Sequence, residues 1–440
     1  MFDAYSSLPF PRRVAILGSS GSIGRSALEV IAASEGRLQV AMMSIHRRAD
    51  ILVEQIQQMR MRLVADQLRS LEKNECPTAQ PVGGLPQCVI MTDEWADRTP
   101  LKDLPPEIEI QFGQDALCKY VQRNDVDVVL SAIVGSAGFR STWAAVEAGK
   151  TVALANKESL VMGGSLLREL ARKTGGFLIP VDSEHSAVMQ CLRARKMNGE
   201  PENSSLPKYH DISRVILTAS GGPFRTWSLE ELEKATIDDA LAHPTWSMGK
   251  KITVDSATLM NKALELIEAR WLFDLPVEKL TAVIHPQSIV HSLVEFVDGS
   301  VMAQMSPPDM QLPIQLALCF PERFDSPARR IDWMQKMQLE FFPIDPQRFP
   351  AIGLGLEVAA AGGTAGAVLN AANEAAVEAF LENRLPFTEI TTICRAILKN
   401  HEFELHPTLE RLFELDLWTR KEVSKWIELR GWVQSCASHQ

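Results

Sequence analysis

The chain has 440 residues, 46% of them hydrophobic and 23% charged, with a net charge of −10. That length predicts two to three domains and a core large enough to stand without disulfides. An acidic chain gains nothing from counterion release, so no nucleic acid partner is expected, although a local cluster of Lys, Asn and Ser still suits a small anion. The seven cysteines are scattered and form no CxxC, which fits reduced cytosolic thiols better than a disulfide frame or a zinc site. The opening MFDAYSSLPFPRR lacks an apolar signal core. The most apolar stretch, 126–139, falls short of the roughly 20 residues of a membrane span. The expectation is a cytoplasmic protein with no membrane partner.

In chain order, an apolar run at 14–17 ends in Gly18-Ser19-Ser20-Gly21-Ser22-Ile23-Gly24, followed by a helical pattern at 26–33. Residues 38–44 read as a strand, 50–60 as a helix, and 63–64 as the opening of a third strand. Alternation of this kind predicts a parallel sheet covered by helices on both faces. The Pro- and Gly-rich stretch 72–106 reads as a surface insertion. A strand at 126–133, a helix at 141–148 and a strand at 151–155 continue the pattern. Beyond Pro180, strands at 214–218, 281–284, 289–296 and 300–305 mix with helices at 183–192 and 256–271. Several short helices follow between 353 and 432. The expected fold is α/β: an N-terminal Rossmann-like doubly wound domain over 1–182, a central α+β catalytic domain over 183–312, a linker over 313–350, and a small C-terminal helical bundle over 351–440.

Gly18, Gly21 and Gly24 stand where the first strand turns into the first helix. There glycine lets backbone approach a pyrophosphate, and a helix start offers N–H groups. The spacing is GxxGxxG, and a glycine turn that only packs helix on strand has the same form. An NAD site usually carries an acid at the end of the second strand. Here the segment reads Ser44-Ile45-His46-Arg47-Arg48. Two guanidinium groups suit a ribose 2′-phosphate, which points to NADPH, with a solvated basic loop as the alternative.

In Asp182-Ser183-Glu184, extended backbone would send both carboxylates to one side, where they repel unless a cation joins them. Alone, such a pair is more often a surface feature. A helix read from Ser256, with Ser256 as its N-cap, puts Asn261, Lys262 and Glu265 on one face. A plain Lys262–Glu265 ion pair would look the same. Asn156-Lys157-Glu158 follows a strand end of the first domain, and Ser220-Gly221-Gly222 ends a strand of the second.

GSSGSIG, AIVGSAG, LANKESLV, PVDSEHSA, TASGGPFR, HPTWSMGKKITVDSATLMNKALELIEA, IHPQSIVHS and VLNAANEAAVEAF occur in that order. Together they resemble the successive motifs of the 1-deoxy-D-xylulose 5-phosphate reductoisomerase family. The resemblance implies isomerisation and NADPH-dependent reduction of that ketose phosphate on the non-mevalonate route to isoprenoids. It implies Asp182, Glu184 and Glu265 as ligands of Mg²⁺ or Mn²⁺, and these with Lys157 and His243 as the catalytic set. Substrate positions carry over to Ser183, Glu184, Ser220, His243, Trp246, Ser256, Asn261, Lys262 and Glu265. Of these, Ser220, Ser256, Asn261 and Lys262 match the phosphate site. Cofactor positions carry over to Gly18, Ser19, Ser20, Gly21, Ser22, Ile23, Arg47, Arg48, Asn156, Lys157, Glu158, Met248 and Gly249. Residues 243–250 match a mobile lid, and a homodimer through the second domain's strands is implied. Two other readings remain: an NADP-dependent aldehyde reductase without isomerisation, which needs no carboxylate triad, and a nucleotide sensor, which needs neither metal nor lid.

Overall fold

The computed structural model describes residues 8–72, 84–194, 209–246 and 248–437. These pack as two units: 1–156, 169–183 and 309–329 in the first, and 157–168, 184–308 and 330–440 in the second.

The first unit is a parallel sheet wrapped by helices. Its elements are β1 (Arg12–Leu17), α1 (Ser22–Ala32), β2 (Leu38–Ile45), α2 (Ala49–Glu72), β3 (Cys88–Met91), β4 (Glu109–Phe112), α3 (Gln114–Val121), β5 (Val128–Ser131), α4 (Phe139–Glu147), β6 (Thr151–Leu154), the later part of α5 (Lys157–Thr174), and β7 (Phe177–Pro180). The strand order is β4-β3-β2-β1-β5-β6-β7. Val14, Ala15, Ile16 and Leu17 are fully buried, as a central strand covered on both faces requires. Because β1 lies between β2 and β5, successive connections leave it in opposite directions. The crevice beyond its C-terminal end, where Gly18 lies, is where such sheets hold ligands.

Two expectations fail here. Residues 63–64 lie inside α2, and the third strand is β3, within the stretch read as an insertion; residues 73–83 of that stretch lie outside the described residues. Part of the expected linker is also structured. Helix α11 (Gln311–Cys319) belongs to the first unit. Buried Arg12 donates to the carbonyls of Leu318 (2.9 Å) and Phe320 (2.8 Å). Phe320 stacks on Phe177 at 6.0 Å. A buried guanidinium needs such acceptors, so they tie this segment to β1 and β7.

The second unit adds α6 (Ser183–Ala194), β8 (Ile212–Ala219), α7 (Leu229–Leu232), α8 (Ile237–Leu241), α9 (Lys250–Ala257), α10 (Met260–Phe273), β9 (Leu280–Ile284), β10 (Val290–Phe296) and β11 (Val301–Met305). Its sheet runs β11-β10-β8-β9. Four helices complete it: α12 (Ala351–Ala361), α13 (Ala365–Leu381), α14 (Glu389–Asn400) and α15 (Leu409–Ala437). They share a core with α10, in which Leu264 and Ile267 meet Leu354, Val358, Val368, Ile390 and Leu415. Gly355 makes that packing possible, since a Cβ there would lie 2.7 Å from the Ala263 Cβ. The C-terminal helices therefore form one wall of the unit that carries α10, not a separate bundle.

Candidate active site

Helix α10 is buried nearly all round, yet it carries Lys262, Glu265 and Glu268 inside the second unit, where charge is costly unless paired. The pairing is dense. Lys262 Nζ donates to Glu184 Oε1 at 2.6 Å and closely to Glu265 Oε2. Lys157 Nζ, from the first residue of α5, donates to Asn261 Oδ1 (2.6 Å) and Glu265 Oε1 (3.1 Å). Asn261 Nδ2 donates to the same Glu265 oxygen at 2.5 Å. Burial alone would lower the Lys262 pKa, but Glu184 and Glu265 more than offset it and raise it.

Glu184 and Glu265 come from different helices and each offers a carboxylate oxygen within 4.8 Å of the other. Both touch the same ammonium, so the structure already seats a cation between them. Oxygen donors of this kind suit a hard divalent ion. Asp182 stands two residues before Glu184 in the sequence, near the end of a segment of the first unit. Its backbone differs from the extended reading, because α6 begins at Ser183 and Glu184 lies in the first helical turn. The Ser292 hydroxyl donates to the Glu184 carbonyl at 2.9 Å, and His185 Nε2 contacts the Glu265 carbonyl at 2.9 Å. His185 Nδ1 lies 3.4 Å from Glu268. These contacts hold the backbone of both carboxylate residues.

The four residues matched to a phosphate site fall into two groups. Asn261 and Lys262 belong to the carboxylate cluster. Ser220 and Ser256 instead meet at His243, whose Nε2 lies 3.1 Å from each hydroxyl. His243 Nδ1 accepts from the backbone N–H groups of Thr245 (3.1 Å) and Trp246 (2.9 Å). A nitrogen that accepts twice carries no proton, so the ring proton sits on Nε2, facing the serines. Burial lowers the His243 pKa and keeps the ring neutral at pH 7. Ser256 is not the N-cap that the sequence suggested. It lies in the last turn of α9, and Leu259, in the left-handed region at φ 56°, breaks the chain before α10. The Gly221-Gly222 turn is bound to that break: a Cβ on Gly222 would stand 2.7 Å from the Ser256 carbonyl. Trp246 and Met248 are half-buried and Gly249 is exposed; residue 247 of the expected lid lies outside the described residues.

In the first unit, Gly18 has φ 85°, and a Cβ would sit 2.9 Å from the Ala132 carbonyl. A Cβ on Gly24 would lie 2.5 Å from the Gly18 carbonyl. Gly21 caps α1 with no side chain on the first-turn N–H groups, leaving that helix start open to an anion. Ser19 is buried and pairs with Gln55, while Ser20 and Ile23 are half-buried and Ser22 is exposed. This cradle fits a dinucleotide pyrophosphate. Arg47 and Arg48 are exposed at the end of β2. Arg47 Nε donates to Asp93 at 2.5 Å, and Arg48 pairs with Asp50 at 2.8 Å. Sequence reasoning missed Asp93, an acid delivered from the end of unrecognised β3. Asn156 is buried and donates to the Ile133 and Gly135 carbonyls, which shapes the loop after β5. Glu158, in the second unit, is buried against Lys251 at 3.0 Å, a partner the sequence reading did not weigh.

Residues 14–81 and 79–164 match the profile of 1-deoxy-D-xylulose 5-phosphate reductoisomerase, 178–273 its C-terminal domain profile, and 305–422 the DXP reductoisomerase C-terminal domain. The 1-deoxy-D-xylulose 5-phosphate reductoisomerase of Rhodopirellula baltica is 47% identical, covering 93% of each chain. That of Geobacter metallireducens is 44% identical, over 95% of this chain and all (100%) of its own. Among solved structures, a DOX-P reductoisomerase in complex with NADPH, fosmidomycin and magnesium aligns with TM-score 0.82 at 37% identity, covering 96% of this chain and 99% of the other. The Zymomonas mobilis enzyme in complex with NADPH aligns with TM-score 0.79 at 37% identity, covering 96% and 100%. The chain belongs to the 1-deoxy-D-xylulose 5-phosphate reductoisomerase family.

Proposed function

We propose that the protein isomerises 1-deoxy-D-xylulose 5-phosphate and reduces the product with NADPH to 2-C-methyl-D-erythritol 4-phosphate, in isoprenoid biosynthesis by the non-mevalonate pathway. The observation that carries this reading is the pair of carboxylates, Glu184 and Glu265, joined by one buried ammonium in a chain of this family. Asp182, Glu184 and Glu265 would hold the divalent ion. When bound, that ion supplies Lewis acidity toward a ketone and a neighbouring hydroxyl, and NADPH supplies the hydride.

The chain's own groups do the positioning. Lys157 and Lys262 balance the carboxylates and offer N–H donors beside them. Ser220, Ser256 and the Nε2–H of His243 form a cluster of donors suited to a phosphate oxygen. Holding the phosphate there and the reacting end at Glu184 and Glu265 would convert remote binding energy into orientation. The segment 243–250, with Trp246, would serve as the lid that excludes water. Gly18, Ser19, Ser20, Gly21, Ser22, Ile23 and Asn156 would carry the cofactor's pyrophosphate end, with Arg47 and Arg48 on the 2′-phosphate. Lys157, Glu158, Met248 and Gly249 complete the cofactor set.

No helix among the described residues is long and apolar enough to cross a membrane. A cytoplasmic setting is supported by the free thiols of Cys88, Cys118, Cys191, Cys319 and Cys394. A homodimer is supported by exposed Val301 on edge strand β11 and by Trp333, Met334, Phe341 and Phe342, an apolar run of the kind that marks an interface. Sedimentation at several concentrations tests it. For the reaction, the enzyme with NADPH and Mg²⁺ should consume both the linear ketose phosphate and its branched aldehyde isomer. Consumption of the aldehyde alone would make the protein a reductase without isomerase activity.

A further inference from the structure

Lys251, its side chain 21% exposed, is a further cation of the second unit set on two buried carboxylates, and none of the roles above uses it. It is the second residue of α9, immediately beyond the lid segment and its helix cap Gly249. Its Nζ lies 3.0 Å from Glu158 Oε1 and 2.9 Å from Asp255 Oδ2. Asp255 is 1% exposed and accepts a further bond, 2.7 Å long, from Asn373 Nδ2 on α13. Glu158 is the second residue of α5, and its chain neighbour Lys157 is the residue that reaches Asn261 and Glu265. One ammonium thus joins three things: the exit of the lid, the first turn of α5, and the helical wall behind α10. Burial disfavours the ammonium, but Asp255 and Glu158 more than offset this and raise its pKa, so it stays charged. A surface ion pair would have no such consequence, because its partners would relax into water.

We propose that Lys251 is a positioning residue: by holding Glu158 it sets the first turn of α5 and keeps the Lys157 ammonium on Asn261 and Glu265. The inference rests on the proposed function for its kinetic consequence, but not for its geometric one. Displacing a reacting or positioning group by about 1 Å costs on the order of 100-fold in rate. Among the described residues Lys251 pairs with Glu158 and Asp255, not with Glu184 or Glu265, so its effect has to pass through Lys157.

The test is a double-mutant cycle with a labelling arm. Lys251→Met is made in the wild-type and Lys157→Ala backgrounds, and kcat is measured with ketose phosphate, NADPH and Mg²⁺. The expected result is a fall of roughly 10–100-fold in the wild-type background. Little further loss is expected once Lys157 is gone, since residues acting through one another are not additive. Lys251→Arg should recover most of kcat. In substrate-free and metal-free protein, residue-resolved acetylation read by mass spectrometry should show Lys157 modified faster in Lys251→Met, with Lys262 unchanged. Losses that multiply in the double mutant, or unchanged labelling of Lys157, would overturn the proposal. If Lys251→Met does not fold, Glu158→Gln, which keeps shape and an acceptor, takes its place with the same expected and contrary results. Wild-type protein inactive on the ketose phosphate would instead refute the proposed function, while the labelling arm would still decide the role of Lys251.

Discussion

Lys262→Met removes the ammonium seated between Glu184 and Glu265 while keeping most of the side chain's apolar length. In metal-free protein two carboxylates then face each other, one 1% and one 17% exposed. Removing one partner of a buried ion pair costs about 3–5 kcal/mol. Glu265 keeps Lys157 at 3.1 Å and Glu184 can draw on water, so the lower end, about 3 kcal/mol, is expected. A divalent ion occupying the vacated seat would offset much of that cost. The variant should therefore gain more from saturating Mg²⁺ than the wild type, which must displace or share its own ammonium. Urea unfolding followed by tryptophan fluorescence, in chelator and in excess Mg²⁺, measures all four states. Equal Mg²⁺ stabilisation of wild type and variant, or no loss of stability in chelator, would show that Lys262 does not occupy a cation seat.

Other changes test the remaining parts of the site. Asp182→Asn or Glu265→Gln should abolish turnover while NADPH still quenches tryptophan fluorescence. Gly18→Ala, forced to φ 85° against the Ala132 carbonyl, should weaken NADPH binding at least roughly tenfold, about 1.4 kcal/mol, with little effect on Mn²⁺ binding. Arg47→Ala with Arg48→Ala should raise KM for NADPH far more than for NADH, and equal losses would remove them from the 2′-phosphate. Burial lowers the His291 pKa to about 4, below the ordinary value near 6.5. A group with a depressed histidine pKa binds its proton more readily when unfolded. Its contribution is therefore full above about pH 6.5 and is lost as pH falls toward 4, an effect of order 3 kcal/mol. His291→Gln should flatten stability over that window.

Much of this fold was legible because its signals are local. Val14 to Leu17 running into Gly18 announces a strand, a turn and a helix through apolar run and glycine alone. The failures concern tertiary context. Strand β3 has four residues and follows a Pro- and Gly-rich stretch, so its pairing with β2 and β4, not its composition, makes it a strand. The α9–α10 break depends on Leu259 accepting a left-handed conformation, which a leucine does not advertise. Shared helix faces placed Lys262 beside Glu265 correctly, but they gave no hint that Glu184 would join them. They also did not show that Ser220 and Ser256 would gather on His243, from segments far apart in sequence. Lys251, Asp255 and Ser292 lie inside quoted motifs but had no role assigned, and Asp93 lies in none; each gains its role only from a partner brought by folding.

A metal-dependent rearrangement coupled to reduction is checked by following NADPH absorbance with 1-deoxy-D-xylulose 5-phosphate, first in chelator and then with Mg²⁺ or Mn²⁺ added. The expected result is no change in chelator, a fall on adding metal, and one 2-C-methyl-D-erythritol 4-phosphate formed per NADPH consumed. A fall that proceeds in excess chelator, or none with either metal, would contradict it.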